Sequence, residues 1–305
     1  MSAPRPEVTA EWAQRPERSN MLALRLMAWL SLTLGRRASR VILALIAAYF
    51  VAFAPAARRA SKAYLRRALG RKAIVSDGFR HVFSFAATVH DRIYLLRDRF
   101  DLFDIRLEGV GLIDEMLREG RGALLFGAHL GSFEVIRAVG NTRPDLKIAM
   151  AMFEDNAKMI NTLLAAINPT HRPEVIALGR LDAMLKIRDQ LDHGALVGVL
   201  ADRSPGDEPR AQVPVLGQPA ALPVGPFRMA AMLGARVIFM AGLYCGDNRY
   251  TIRFAPIADF AGLAATERAA AIERSMTAYA DEMTRCCLEA PSNWFNYFDF
   301  WDEFH

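Results

Sequence analysis

Two textures divide the chain. Between residues 20 and 97 apolar positions recur at helical spacing, over 20–35, 39–70 and 76–97. Gly70 and Ser76-Asp77-Gly78 punctuate these stretches. Residues 1–19, with Pro4, Pro6 and Pro16, read as a loose polar arm. After Val110-Gly111 short apolar runs alternate with amphipathic segments. The runs at 123–128, 147–153, 174–178, 195–200, 236–243 and 249–255 predict strands. Helices are predicted at Ser132–Gly140, Asn156–Ile167, Arg180–Leu191, Gly225–Leu233 and Thr266–Leu288.

That alternation predicts an α/β fold, with a mostly parallel central sheet flanked by helices on both faces. No repeat or long linker is visible. Two regions follow: a basic, apolar helical region at 1–100 and an α/β domain at 101–305.

Charge sharpens the division. Of a net +5, residues 1–72 hold 14 Lys and Arg against Glu7, Glu11 and Glu17, and the remaining 233 residues carry −6. The bases are interleaved with the apolar runs Met21–Leu34 and Val41–Ala57. The second run has no charge and is followed by Arg58, Arg59, Lys62, Arg66, Arg67, Arg71 and Lys72. Such a segment suits a bilayer surface with anionic headgroups. Its 17 residues fall short of the ~20 that a spanning helix needs. We expect N-terminal membrane-associated helices, with the body on the cytoplasmic face by the positive-inside tendency. The bases sit in lipid-compatible sequence and the body is acidic, so no nucleic-acid role is expected.

Composition removes other classes. Hydrophobic residues make up 52% and charged residues 23%, with mean hydropathy +0.11, which excludes disorder and collagen. Cys245, Cys286 and Cys287 form no CxxC pair, so neither a disulfide scaffold nor a zinc ribbon is expected. His81, His90, His171 and His193 have no partners at ligand spacing and read as structural.

The most informative stretch is Arg121–Glu134, RGALLFGAHLGSFE. An apolar strand ends in Gly127-Ala128, and His129 follows. In open α/β sheets working residues lie just beyond the carboxyl ends of strands. Glu134 is five residues on, a rotation of roughly 140° on a continuous helix, so the pair meets only if the chain turns at Gly131. Ser132 would then cap the next helix and Glu134 would accept the imidazole N–H. A histidine so oriented can take a proton from a hydroxyl. No protein nucleophile stands beside it, so the hydroxyl belongs to a substrate.

GAHLGSFE (127–134) resembles the His-x4-Asp/Glu motif of the lysophospholipid acyltransferase superfamily. Within it the chain most resembles the lipid A biosynthesis acyltransferases, over the basic N-terminus, the motif and the Asp202–Gly234 region. The resemblance implies a glycerolipid acyltransferase-like fold and attachment to the cell inner membrane. It also implies acyl transfer from an acyl carrier protein or coenzyme A thioester to a hydroxyl of a lipid or glycolipid. That thioester is a co-substrate, and the resemblance implies neither a cofactor nor a metal. His129 carries over as general base and Glu134 as the residue that orients it.

Asp202-Arg203 follows the run 195–200 and also lies at a strand end. Family members carry an acid at the first position and usually Gln at the second. Arg203 departs from that pattern and could meet a phosphate or a developing oxyanion. Asp202, Arg203 and Ser132 are candidate substrate-binding residues, as is Asn156, which matches a family position near the acceptor. The Phe-Pro-Glu-Gly motif of the glycerolipid branch is absent, which counts against a glycerol-3-phosphate acyltransferase.

Seven of the last twelve residues are aromatic. This tail reads either as a segment packed across the sheet or as a wall for an acyl or polyene chain. It also resembles acyltransferases of aryl-polyene lipid assembly. An aryl-polyene or lysophospholipid acceptor is therefore an alternative. A lipid ester or thioester hydrolase is another, although no G-x-S-x-G elbow occurs.

Overall fold

The computed structural model describes residues 31, 33–143, 145–153, 174–179, 182–203 and 208–301. Three helices lead: α1 (Arg36–Phe53), α2 (Pro55–Leu69) and α3 (Val75–Leu95). The pattern over 39–70 predicts one helix, but two are found, bent by 96°. Pro55 is the cause. Its ring pushes the preceding residue out of helical backbone, and Ala54 sits at φ −112°, ψ 75°. Pro55 itself is tolerated in the first turn of α2, where its missing N–H has no acceptor to serve. No single described helix is long and apolar enough to cross a membrane, and the bent pair α1–α2 meets that requirement only together.

The body runs β1 (Asp104–Glu108), α4 (Gly111–Glu119), β2 (Ala123–Gly127), a 3-10 turn at Glu134–Ile136, α5 (Arg137–Thr142), β3 (Ile148–Phe153) and β4 (Glu174–Leu178). It continues with α6 (Ala183–Asp192), β5 (Leu196–Leu200), β6 (Arg210–Val215), β7 (Gln218–Pro223), α7 (Gly225–Leu233), β8 (Arg236–Tyr244), β9 (Arg249–Asp259) and α8 (Arg268–Glu289). Seven strands form one sheet in the order β1-β9-β8-β2-β5-β3-β4. The five from β8 to β4 are parallel. β9 runs antiparallel to β8, and β1 runs parallel to β9. This is the mostly parallel α/β sheet that the alternation predicts. The predicted helix 156–167 and most of 20–35 fall outside the described residues.

Side chains of each strand feed two cores in turn, as a period of two requires. In β2, Leu124 and Phe126 face one core, with Tyr64 of α2, Ile187 of α6, Phe227 of α7 and Tyr279 of α8. Ala123 and Leu125 face the other, with Ile93 of α3, Ile113 of α4 and Val139 of α5. Both faces are dry, which is why these strands read as unbroken apolar runs.

Four elements escape the pattern. β1 is a charged edge strand, as edges that resist mispairing often are. α4 is short. The hairpin β6–β7 carries Pro214, Pro219 and Pro223, which argue against strands. Its two-residue turn, Leu216-Gly217, has φ +50° and +73°, and Val215 pairs with Gln218. Counting back from that closing pair, all three prolines occupy non-hydrogen-bonded positions, where no N–H is required of them.

α1 lies against α3 through a narrow face of Ser39, Leu43 and Ala47. A buried ion pair fastens it. Arg36 donates twice to Asp91 of α3, at 2.7 and 2.8 Å, and Tyr250 of β9 donates to the same carboxylate at 2.9 Å. Removing the carboxylate strands a guanidinium and a phenol away from water. Asp91→Ala is therefore expected to cost about 3–5 kcal/mol, read as a lower denaturation midpoint.

Candidate functional site

The site is made by two neighbouring strand ends. β2 and β5 are parallel and in register, with Gly127 opposite Leu200. Each then continues through one alanine, Ala128 or Ala201, and Ala201 N donates to Gly127 O at 2.9 Å. The next residues, His129 and Asp202, share the same offset and stand side by side. His129 Nδ1 lies 2.8 Å from Asp202 Oδ1 and 3.1 Å from Oδ2, and the His129 backbone N–H donates to Oδ2 at 3.1 Å. A carboxylate only accepts, so Nδ1 carries the proton and Nε2 offers a lone pair. Arg203 Nε donates to that lone pair at 3.2 Å.

This corrects the expected pairing of His129 with Glu134. Among the described residues the carboxylate bound to the imidazole is Asp202. Gly131 does turn the chain, at φ +66°, but the turn sends it along β8. Gly131 N donates to Asn293 O and Ser132 N to Gly242 O, both at 2.8 Å. A Cβ on Gly131 would stand 1.9 Å from Gly242 O, so only glycine fits. Glu134 then ion-pairs with Arg92 of α3 at 2.7 Å. Ser132 is buried and donates its hydroxyl to Glu134 at 3.1 Å, and it does not cap the helix that follows. Of the other candidates, Arg203 joins His129, while Asn156 lies outside the described residues.

The aromatic segment completes the site, and sequence reasoning did not single out its key member. Trp294, fully buried, donates from Nε1 to Asp202 Oδ2 at 3.3 Å. Leu130 and Trp294 form an antiparallel bridge, and Phe295 N donates to His129 O at 2.8 Å. Trp294 and Phe300 are 4.7 Å apart, and Arg67 lies over Trp301 at 4.2 Å. Asn293 clamps both backbone groups of Tyr244. The signal available in the sequence was the density of aromatic residues. Which of them faces the acid depends on the path of the tail.

Burial of the imidazole favours its neutral form. Burial lowers the His129 pKa below 6.5, and Arg203 and Arg92 add to that, while Asp202 opposes it. The ring still keeps 29% of its side-chain surface open, against 2% for Asp202. Burial alone would raise the Asp202 carboxyl. The positive side of His129, its hydrogen bonds and Arg203 outweigh that and hold it well below the usual carboxylate range. At neutral pH the pair is an imidazole beside a carboxylate.

His81 of α3 is a second buried imidazole. Its Nε2 donates to Trp294 O at 2.8 Å, so Nδ1 accepts from Ser61 Oγ, also at 2.8 Å. Burial holds its pKa at about 4, below 6.5 in the unfolded chain. A depressed histidine pKa favours folding above pH 6.5, and that stability is lost as pH falls through 4. The fall should amount to about 3 kcal/mol. Denaturation midpoints between pH 7 and pH 4 should slope less in His81→Gln than in the wild type.

A search among curated proteins gave no match. A family model of the bacterial lipid A biosynthesis acyltransferases matches residues 16–301. The match spans the N-terminal helices, both strand ends and the aromatic segment through Trp301. The chain therefore belongs to the bacterial lipid A biosynthesis acyltransferase family.

Proposed function

We propose that the protein is an inner-membrane O-acyltransferase working at the cytoplasmic face. It takes a fatty acyl group from an acyl carrier protein or coenzyme A thioester and passes it to a hydroxyl of a lipid A-type glycolipid. Family membership carries the reaction class, acyl transfer to a lipid. The observation that carries the mechanism is the His129–Asp202 hydrogen bond at 2.8 Å, which leaves Nε2 unprotonated.

His129 acts as general base. Its Nε2 takes the proton of the acceptor hydroxyl, whose oxygen attacks the thioester carbonyl carbon. The acceptor must take over the position beside Nε2 where Arg203 Nε now donates. Displaced from the base, the guanidinium can donate to the oxyanion of the tetrahedral intermediate. The C–S bond then breaks, and the departing thiolate receives the proton from Nε2. Asp202 holds the Nδ1–H tautomer throughout and favours the transient imidazolium. Because burial lowers the imidazole pKa below 6.5, the midpoint of the acid limb of kcat/KM should fall below pH 6.5, with no loss of activity toward pH 8.

Radiolabelled acyl thioesters with an extracted glycolipid acceptor test this. His129→Ala should lose about a hundred- to ten-thousand-fold in transfer. Asp202→Asn should lose about a hundredfold, and Glu134→Gln should stay within about tenfold. Undiminished transfer by His129→Ala would overturn the reading. Free fatty acid released without need of an acceptor would point to a hydrolase.

Membrane attachment is supported by the outer face of α1. Val41, Leu45 and Phe53 are 66%, 68% and 71% exposed, and Tyr49 lies on the same stripe. Arg58, Arg59, Lys62 and Arg66 are exposed on α2 across the bend. The apolar stripe would enter the acyl boundary while the bases meet anionic headgroups. In vesicle sedimentation the protein should pellet with phosphatidylglycerol-containing vesicles. Leu45→Glu should weaken pelleting at any salt. Arg58→Glu/Arg59→Glu should weaken it mainly at low salt.

A further inference from the structure

The orientation of Asp202 has its own support, and the support comes from the C-terminal aromatic segment. Oδ1 is the oxygen nearest the imidazole, at 2.8 Å. Oδ2 receives two donors fixed in other ways: the His129 backbone N–H at 3.1 Å and the Trp294 indole N–H at 3.3 Å. Two donors on one oxygen set the plane of the carboxylate and leave the other oxygen to Nδ1. Without the indole, the hydrogen bonds on that carboxylate among the described residues would come from His129 alone, through its ring and its backbone N–H.

Trp294 is itself held from the helical layer. Its carbonyl accepts from His81 Nε2 of α3 at 2.8 Å, and His81 Nδ1 accepts from Ser61 of α2. Tyr64 of α2 packs edge-on against the indole at 5.2 Å. His81 is stacked on Tyr297 at 4.8 Å, and the Tyr297 hydroxyl donates to the His81 carbonyl at 3.2 Å. A continuous set of hydrogen bonds therefore runs from Ser61 through His81, Trp294 and Asp202 to His129. It crosses from the N-terminal helices to the strand ends.

We infer that Trp294 is the positioning residue of the catalytic base, acting through Asp202, and that His81 fixes Trp294 in the place this requires. The inference deepens the acyltransferase reading and rests on it for what the base does. The charged groups acting on His129 are Asp202 on its Nδ1 side, Arg203 on Nε2 and, farther off, Arg92. Of these, the indole touches only Asp202. Its loss should leave the carboxylate less satisfied and so favour the imidazolium.

The test uses the full-length protein in detergent, with Trp294→Phe as the main variant. Phenylalanine keeps a ring against Tyr64 and Phe300 but cannot donate. Two readouts separate the inference from the reading beneath it. The first is acyl transfer: kcat should fall about tenfold with KM for the thioester little changed. The second does not depend on acyl transfer. The pH dependence of carbethoxylation at His129, followed by peptide mass spectrometry, should move to higher pH by about half a unit. His81→Leu should reproduce both effects. His81→Gln, whose amide N–H can reach the Trp294 carbonyl, should recover much of the wild-type behaviour.

Wild-type kcat and an unmoved His129 titration in Trp294→Phe would overturn the inference. So would a variant that loses activity and thermal stability together while the His129 titration stays in place, because that is the mark of a merely structural residue. If the wild-type protein transferred no acyl group but the titration still moved, the acyltransferase reading would fail and the positioning role would stand.

Discussion

The hydrogen bond between His129 and Asp202 depends on sheet register. Both residues stand two places past the ends of neighbouring parallel strands whose last residues are paired, and one alanine separates each from its strand. A slip of one residue between β2 and β5 would turn one of the two side chains to the opposite face. Register is held by the apolar residues that β2 and β5 send alternately into two dry cores. Apolar burial fixes the strands, the strands align the two polar residues, and the carboxylate selects the tautomer.

The same dependence explains what could be read from the sequence. Short apolar runs located six strands of the large sheet, and helical patterning set α7 at the bounds observed, because those elements bury apolar side chains in the usual way. His129, Asp202 and Arg203 were all legible as strand-end residues. Their partnership was not, since it follows from β5 lying next to β2, and adjacency in a sheet leaves no mark in local patterning. Glu134 was the nearer carboxylate in sequence and so the natural choice. The turn at Gly131 instead carries it to Arg92. The single long helix over 39–70 failed at Pro55, whose effect on the preceding residue outweighed the continuous apolar run. The hairpin β6–β7 went unseen because its prolines look like strand breakers unless their pairing is known.

Two layers of the molecule meet at the site, although their sequences have different characters. The N-terminal helices are basic and leave a broad apolar stripe exposed on α1, yet α2 and α3 also send Tyr64, Leu65 and Ile93 into the cores of the sheet. The aromatic segment that follows α8 lies between these helices and the strand ends. Arg67, Tyr64 and His81 touch it from one side, and Leu130, His129 and Asp202 from the other.

The contact between His81 and Trp294 joins residues 213 positions apart in the chain. Two segments far apart in sequence thus bear on one acid: the helical layer holds the Trp294 carbonyl, and the indole reaches Asp202. Whatever loosens α2 and α3 from the sheet would be felt at the imidazole through that side chain, although the ring itself is hydrogen-bonded to Asp202 and Arg203.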